Sequence, residues 1–200
     1  TADWHPAARE QPYKLLRASE VPSDEAEQEF LTRMMRVREA EKAFRVIKKE
    51  RDKRLPFLRR AVRHPNREVR IQAIIMLGLL KDDSPETEEV LCDAVLLDRD
   101  PDVRASAAKD FIVLKSSKAV ETLIRSMAED PYEAARSNAA WALGSVGDRR
   151  AVDPLREATR DEDTMVRLRA VSALLKIKPK QAVPELIDRL EDSSPMVRER

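Results

Sequence analysis

The pair Val69-Arg70 returns as Val103-Arg104, Ala135-Arg136, Val166-Arg167 and Val197-Arg198, at steps of 34, 32, 31 and 31 residues. Five occurrences at a nearly constant period restrict the chain to architectures made by stacking one supersecondary unit. After each of the first four pairs, counting from its first residue, a small residue stands four positions on (Ala73, Ala107, Ala139, Ala170). A large apolar one stands eight on (Leu77, Phe111, Leu143, Leu174). Offsets of 0, 4 and 8 share one face of an α-helix. A second helical segment precedes the pair, clearest in Ala119-Val120-x-x-Leu123, Ala151-Val152-x-x-Leu155 and Ala182-Val183-x-x-Leu186. Each unit is therefore a helical hairpin. Its turn is short and acidic, with Pro or Ser, as at 98–102, 130–131, 161–164 and 192–195; such residues end one helix and cap the next. A lone hairpin cannot cover its own apolar face, so the units must stack and the end units need caps.

Composition agrees with this reading. Three glycines in 200 residues are too few for a turn-rich sheet protein, and 42% apolar with 38% charged residues suits a solvated helical assembly. The expected fold class is all-α, a right-handed α-solenoid or superhelix of helical hairpins with an N-terminal capping helix. Residues 1–23, with Pro6, Pro12 and Pro22 among scattered Trp4, Tyr13, Leu15 and Leu16, read as an extended arm. Residues 24–54 read as an amphipathic capping helix, with Phe30, Met34, Val37, Phe44 and Ile47 near one stripe. The repeats then occupy 55–200 as four complete units and the start of a fifth. Leu55, Phe57 and Leu58 open the first outer helix, with Pro56 in its tolerant first turn.

The phrase Asp130-Pro131-x-x-Ala134-Ala135-Arg136-x-x-Ala139-Ala140-x-Ala142-Leu143-Gly144-x-x-Gly147-Asp148-x-x-Ala151-Val152-x-Pro154-Leu155 resembles HEAT repeats of the short type also found in phycobilisome lyases. An Asp stands six residues before the repeated Arg in four units: Asp98 and Arg104, Asp130 and Arg136, Asp161 and Arg167, Asp192 and Arg198. The resemblance implies that these positions form a ladder of hydrogen-bonded ion pairs between stacked units. In the first unit His64 takes the place of the Asp. That departure implies a weaker ladder at the N-terminal end.

No catalytic constellation stands out, and an enzyme is not expected. The two histidines, His5 and His64, have no partner at metal-ligand spacing, and no Gly-rich phosphate loop or nucleophile elbow is present. Neither a metal nor a cofactor is expected. The carboxylates cluster at helix starts and turns, where capping explains them. Gly144 and Gly147 read as a helix end and a turn. Cys92 lies in an apolar helical stretch and reads as a small core residue rather than a reactive thiol. No apolar run is long enough to span a bilayer, and no signal-like segment opens the chain. A cytoplasmic protein is expected, export after removal of a signal being the alternative.

Surface features are more informative. In the inner helices the positions three and six after the repeated apolar residue lie off the core stripe: Gln72 and Ile75, Ser106 and Lys109, Asn138 and Trp141, Arg169 and Ser172. These should line the concave face. Trp141 reads either as a binding anchor or as a ring packed over the neighbouring unit. Basic residues crowd 45–70, eleven against three acids. This patch (Lys48, Lys49, Arg51, Lys53, Arg54, Arg59, Arg60, Arg63) is either a solvated helix end or an acidic docking site. Residues 81–133 carry the opposite imbalance, net −7, and could complement it within the chain or in a second copy.

The leading expectation is a protein–protein interaction scaffold that grips a partner segment on the concave face as a subunit of a larger complex. One alternative, by analogy with HEAT-like DNA glycosylases, is nucleic-acid binding through the basic 45–70 surface. The other, implied by the repeat subtype, is a chromophore lyase or chaperone.

Overall fold

The structure, a computed structural model, describes residues 51–177 together with Ser194 and Arg198. The expected N-terminal arm, most of the capping helix, Lys48, Lys49 and the Asp192 position lie outside the described residues. Among the described residues every regular element is helical: α1 (Arg51–Ala61), α2 (Arg67–Leu80), α3 (Pro85–Leu97), α4 (Pro101–Leu114), α5 (Val120–Glu129), α6 (Glu133–Val146), a 3-10 turn (Arg149–Ala151), α7 (Val152–Ala158) and α8 (Thr164–Ile177). The chain divides into two compact units, Thr1–Leu80 and Lys81–Arg200.

In the first unit α1 and α2 form one hairpin. Leu55, Phe57 and Leu58 of α1 and Val69, Ala73, Ile74, Met76 and Leu77 of α2 are buried. Pro56 does not open α1. The helix already runs from Arg51, and the proline lies inside it. A proline there leaves the carbonyl four residues earlier without its helical donor. Asp52, Lys53 and Pro56 are all exposed, so water can satisfy that carbonyl while the buried residues on either side hold the helix together.

The second unit holds three hairpins in two layers. Each outer helix (α3, α5, α7) packs on its own inner partner (α4, α6, α8), and the inner helices pack side by side in the order α4, α6, α8. Small side chains make that layer close. Ala105, Ala107, Ala108, Ala139, Ala140, Ala142, Ala170 and Ala173 are all buried, which lets neighbouring helix axes approach. Large fully buried side chains, among them Leu91, Phe111, Leu123, Leu143, Leu155 and Leu174, fill the unit's core. Each contributes about 1.5–3 kcal/mol relative to exposure.

Gly144 is not at a helix end. It is buried within α6, where an added Cβ would stand 2.6 Å from the Cα and Cβ of Ala173 on α8. Glycine is required there for close approach. Gly147 does end α6, at φ 77, with its N–H on the Leu143 carbonyl.

The helix starts follow from the turn residues. Asp100 caps α4, its carboxylate accepting from the N–H groups of Asp102 (3.0 Å) and Val103 (3.4 Å), and Pro101 takes the first helical position. Asp163 likewise accepts from Met165 and Val166 at the head of α8. Ahead of α3, Asp82 accepts from the hydroxyls of Ser84 (2.8 Å) and Thr87.

Candidate functional site: the arginine rungs and the inner helix face

The turns build a repeated bonding pattern. Arg104 lies fork to fork with Asp130 of the following hairpin, with Nε to Oδ2 at 2.7 Å and Nη2 to Oδ1 at 2.9 Å. Its Nη1 donates to the carbonyl of Asp98 in its own turn at 2.9 Å. Arg136 repeats the arrangement, meeting Asp161 at 2.9 and 3.0 Å and the Asp130 carbonyl at 3.0 Å. Arg167 donates to the carbonyls of Asp161 and Glu162 at 3.1 and 3.0 Å. Arg104 and Arg136 thus tie their own turns to the acid of the next hairpin. Planar two-point pairing is what a guanidinium does best. Asp130 and Asp161 raise the proton affinity of Arg104 and Arg136 respectively, chiefly by accepting those hydrogen bonds.

The acid has a second duty. Asp98, Asp130 and Asp161 each accept, through Oδ1, the N–H two residues on, at 2.8–2.9 Å. In the first unit His64 performs that duty with Nδ1, accepting from the Asn66 N–H at 3.1 Å, and its carbonyl accepts from Arg70 at 2.9 Å. Histidine therefore preserves the turn that the aspartates make.

The expected partner-facing residues fall into rows. Ser106, Asn138, Trp141, Arg169 and Ser172 are half-buried and Lys109 is exposed on α4, α6 and α8; Gln72 and Ile75 are half-buried on α2. Three of the six on the inner layer take part in direct contacts between neighbouring helices. Asn138 donates its side-chain amide to the Ala105 carbonyl at 2.9 Å, which makes it a stitch between α6 and α4. Arg169 of α8 stacks over the Trp141 ring of α6, with Cζ 3.4 Å from the centroid. Of the basic patch, Lys53, Arg60 and Arg63 are exposed and Arg51, Arg54 and Arg59 are half-buried; Arg60 lies over the Phe57 ring at 5.8 Å.

Other contacts have no signature in the repeat. The Tyr132 hydroxyl reaches back to Asp102 of the preceding inner helix at 3.1 Å; burial first, then that hydrogen bond and charge, push its pKa up. Arg150 gathers the Asp148 carboxylate, Glu121 and the Ser117 carbonyl at 2.8–3.1 Å, and its bond holds Asp148 below the usual carboxylate value. Cys92 is only half-buried, and burial pushes its thiol up despite a hydrogen bond with Thr122. Among the described residues no three His, Cys, Asp or Glu side chains group to hold a metal ion, and no helix is long and apolar enough to cross a membrane.

Helical hairpins whose turns are joined by Arg–Asp rungs define a HEAT-type helical-repeat protein. Residues 38–110, 88–174 and 157–200 match the family described as HEAT repeats, and the chain belongs to that family. The match begins upstream of Leu55. No curated protein matches the sequence. A similar solved structure is the complex of CpcE and CpcF of phycocyanin lyase from Nostoc sp. PCC7120. The TM-score is 0.64 and the identity 20%, over 72% of this chain and 60% of that chain. At that identity the likeness concerns the fold, and this chain spans 60% of the length of that neighbour.

Proposed function

We propose that the chain is a protein-binding scaffold, a subunit of a larger assembly, that holds a partner segment on the face of its inner helices. The observation that carries this reading is Trp141. Its indole stays half-exposed in the middle inner helix, among polar side chains, in a row where the flanking helices carry Lys109 and Ser172. A large ring held rigid by Arg169 loses little entropy on binding and offers wide apolar contact, the character of an interface anchor. The family and the two-chain neighbour support protein partners by analogy of fold. The lyase alternative rests on the repeat subtype and on that neighbour, whose likeness to this chain concerns the fold.

The test is affinity capture from an extract of the source organism, with wild type, Trp141→Ala and a charge-reversed Arg59/Arg60/Arg63 variant as parallel baits. Loss of a specific protein with Trp141→Ala alone is the expected result. Retention by that bait and loss with the charge-reversed one would move the site to the basic surface of α1.

A further inference from the structure

On α4, α6 and α8 the positions two before and two, five and nine after each rung arginine form one stripe per helix, and none of these twelve residues is buried. The charges on this grid are unequal. Lys109, Arg169 and Lys176 are cationic, and Asp102 is the one acid, its carboxylate accepting the Tyr132 hydroxyl. The outer helices of the same unit have the opposite balance, eight acids to two bases. Lys176 sits in the last turn of α8, where it complements the helix dipole. Lys109 lies too far from the end of α4 for that role, and it is exposed beside the half-buried Asp110.

Resting on the inner-face reading above, we propose that this face takes an acidic peptide segment bearing an apolar side chain. The apolar group seats beside Trp141 and Val113, and the carboxylates meet Lys109, Arg169 and Lys176. Arg169 is already ordered by its stack on the indole, and a guanidinium has five N–H donors with which to meet more than one acceptor. A nucleic-acid backbone fits less well. It needs cations along its whole path, whereas the grid ends at turns carrying Asp98, Asp100, Asp130 and Asp161. A short acidic segment can stay within the cationic half.

The experiment is fluorescence anisotropy on the full chain with labelled peptides of about twelve residues that share their Leu and Phe positions but carry Glu, Gln or Lys between them, beside an oligothymidine of similar length. The acidic peptide should bind. Its affinity should fall about tenfold or more in Lys109→Glu/Lys176→Glu and in Trp141→Ala, and should fall as salt rises. Arg125→Glu, on outer helix α5, should leave it unchanged, and circular dichroism should show every variant folded. Equal, Trp141-dependent binding of the Gln or Lys peptide would overturn the acidic assignment while leaving the inner-face scaffold standing. Binding of no peptide, or of the oligonucleotide alone, would overturn both.

Discussion

Arg136 offers the most direct test of what holds neighbouring hairpins together. Its side chain is 9% exposed and that of Asp161 14%, so water screens their pairing poorly. Arg136→Met keeps an apolar stem of similar length but removes the two bonds to Asp161 and the one to the Asp130 carbonyl. It also leaves the Asp161 carboxylate part-buried without its cation. Breaking such a pair costs about 3–5 kcal/mol. Asp161→Asn is the informative partner change, because an amide oxygen can still accept the Asp163 N–H that shapes the turn while the charge is lost. Urea unfolding of the wild type, both single variants and the double variant should give a coupling energy of about 2 kcal/mol. Circular dichroism and tryptophan fluorescence must report the same transition for that number to be valid. The exposed Arg125–Glu129 pair, at 62% and 65% exposure, is the control and should couple by about 0.3–0.5 kcal/mol. An Arg136–Asp161 coupling no larger than the control would refute the claim that the rungs stabilise the stack.

Gly144→Ala should destabilise the fold by about 1–3 kcal/mol in the same assay, because the new Cβ meets Ala173 backbone and forces α6 from α8. The gain in helix propensity, about 1 kcal/mol, offsets only part of this, and an unchanged midpoint would show that the two helices separate freely. Tyr132 ionises above the ordinary tyrosine value, so its contribution to stability is complete below about pH 10 and is lost as pH rises through the folded-state value. Absorbance titration of Tyr13→Phe should therefore place the Tyr132 midpoint above that of free tyrosine, and adding Asp102→Asn should lower it; a midpoint at or below the free value would contradict the hydrogen bond. The Cys92 thiol, pushed up by burial, should react with iodoacetamide near neutral pH more slowly than a free cysteine. Equal rates would show that the α3 surface opens readily.

Much of the fold could be read from the chain because its determinants are local and repeated. Apolar spacing of four and eight identifies the inner helices, and Asp with Pro or Ser at regular intervals marks the turns that precede them. Where a residue's role depends on what lies across from it, local pattern failed. Gly144 looked like a helix stop by residue type, yet its place is dictated by Ala173 on another helix. Pro56 looked like a helix start, yet the buried residues around it keep α1 continuous through it.

The rung and the indole show the same division. The spacing of six from Asp to Arg marks both residues in every full unit after the first, but it cannot say which acid an arginine meets. Folding sends the Arg104 side chain to Asp130, 26 residues on, and leaves its own Asp98 to supply only a carbonyl. Trp141 was visible as an outlier in its row, whereas the guanidinium on its face comes from Arg169 of the next hairpin. Backbone conformation and amphipathic period depend on residues a few positions apart, so one strand of sequence contains them. Side-chain pairing between stacked hairpins depends on how closely and in what register two helices pack, and that is settled only when the small residues of α4, α6 and α8 come together.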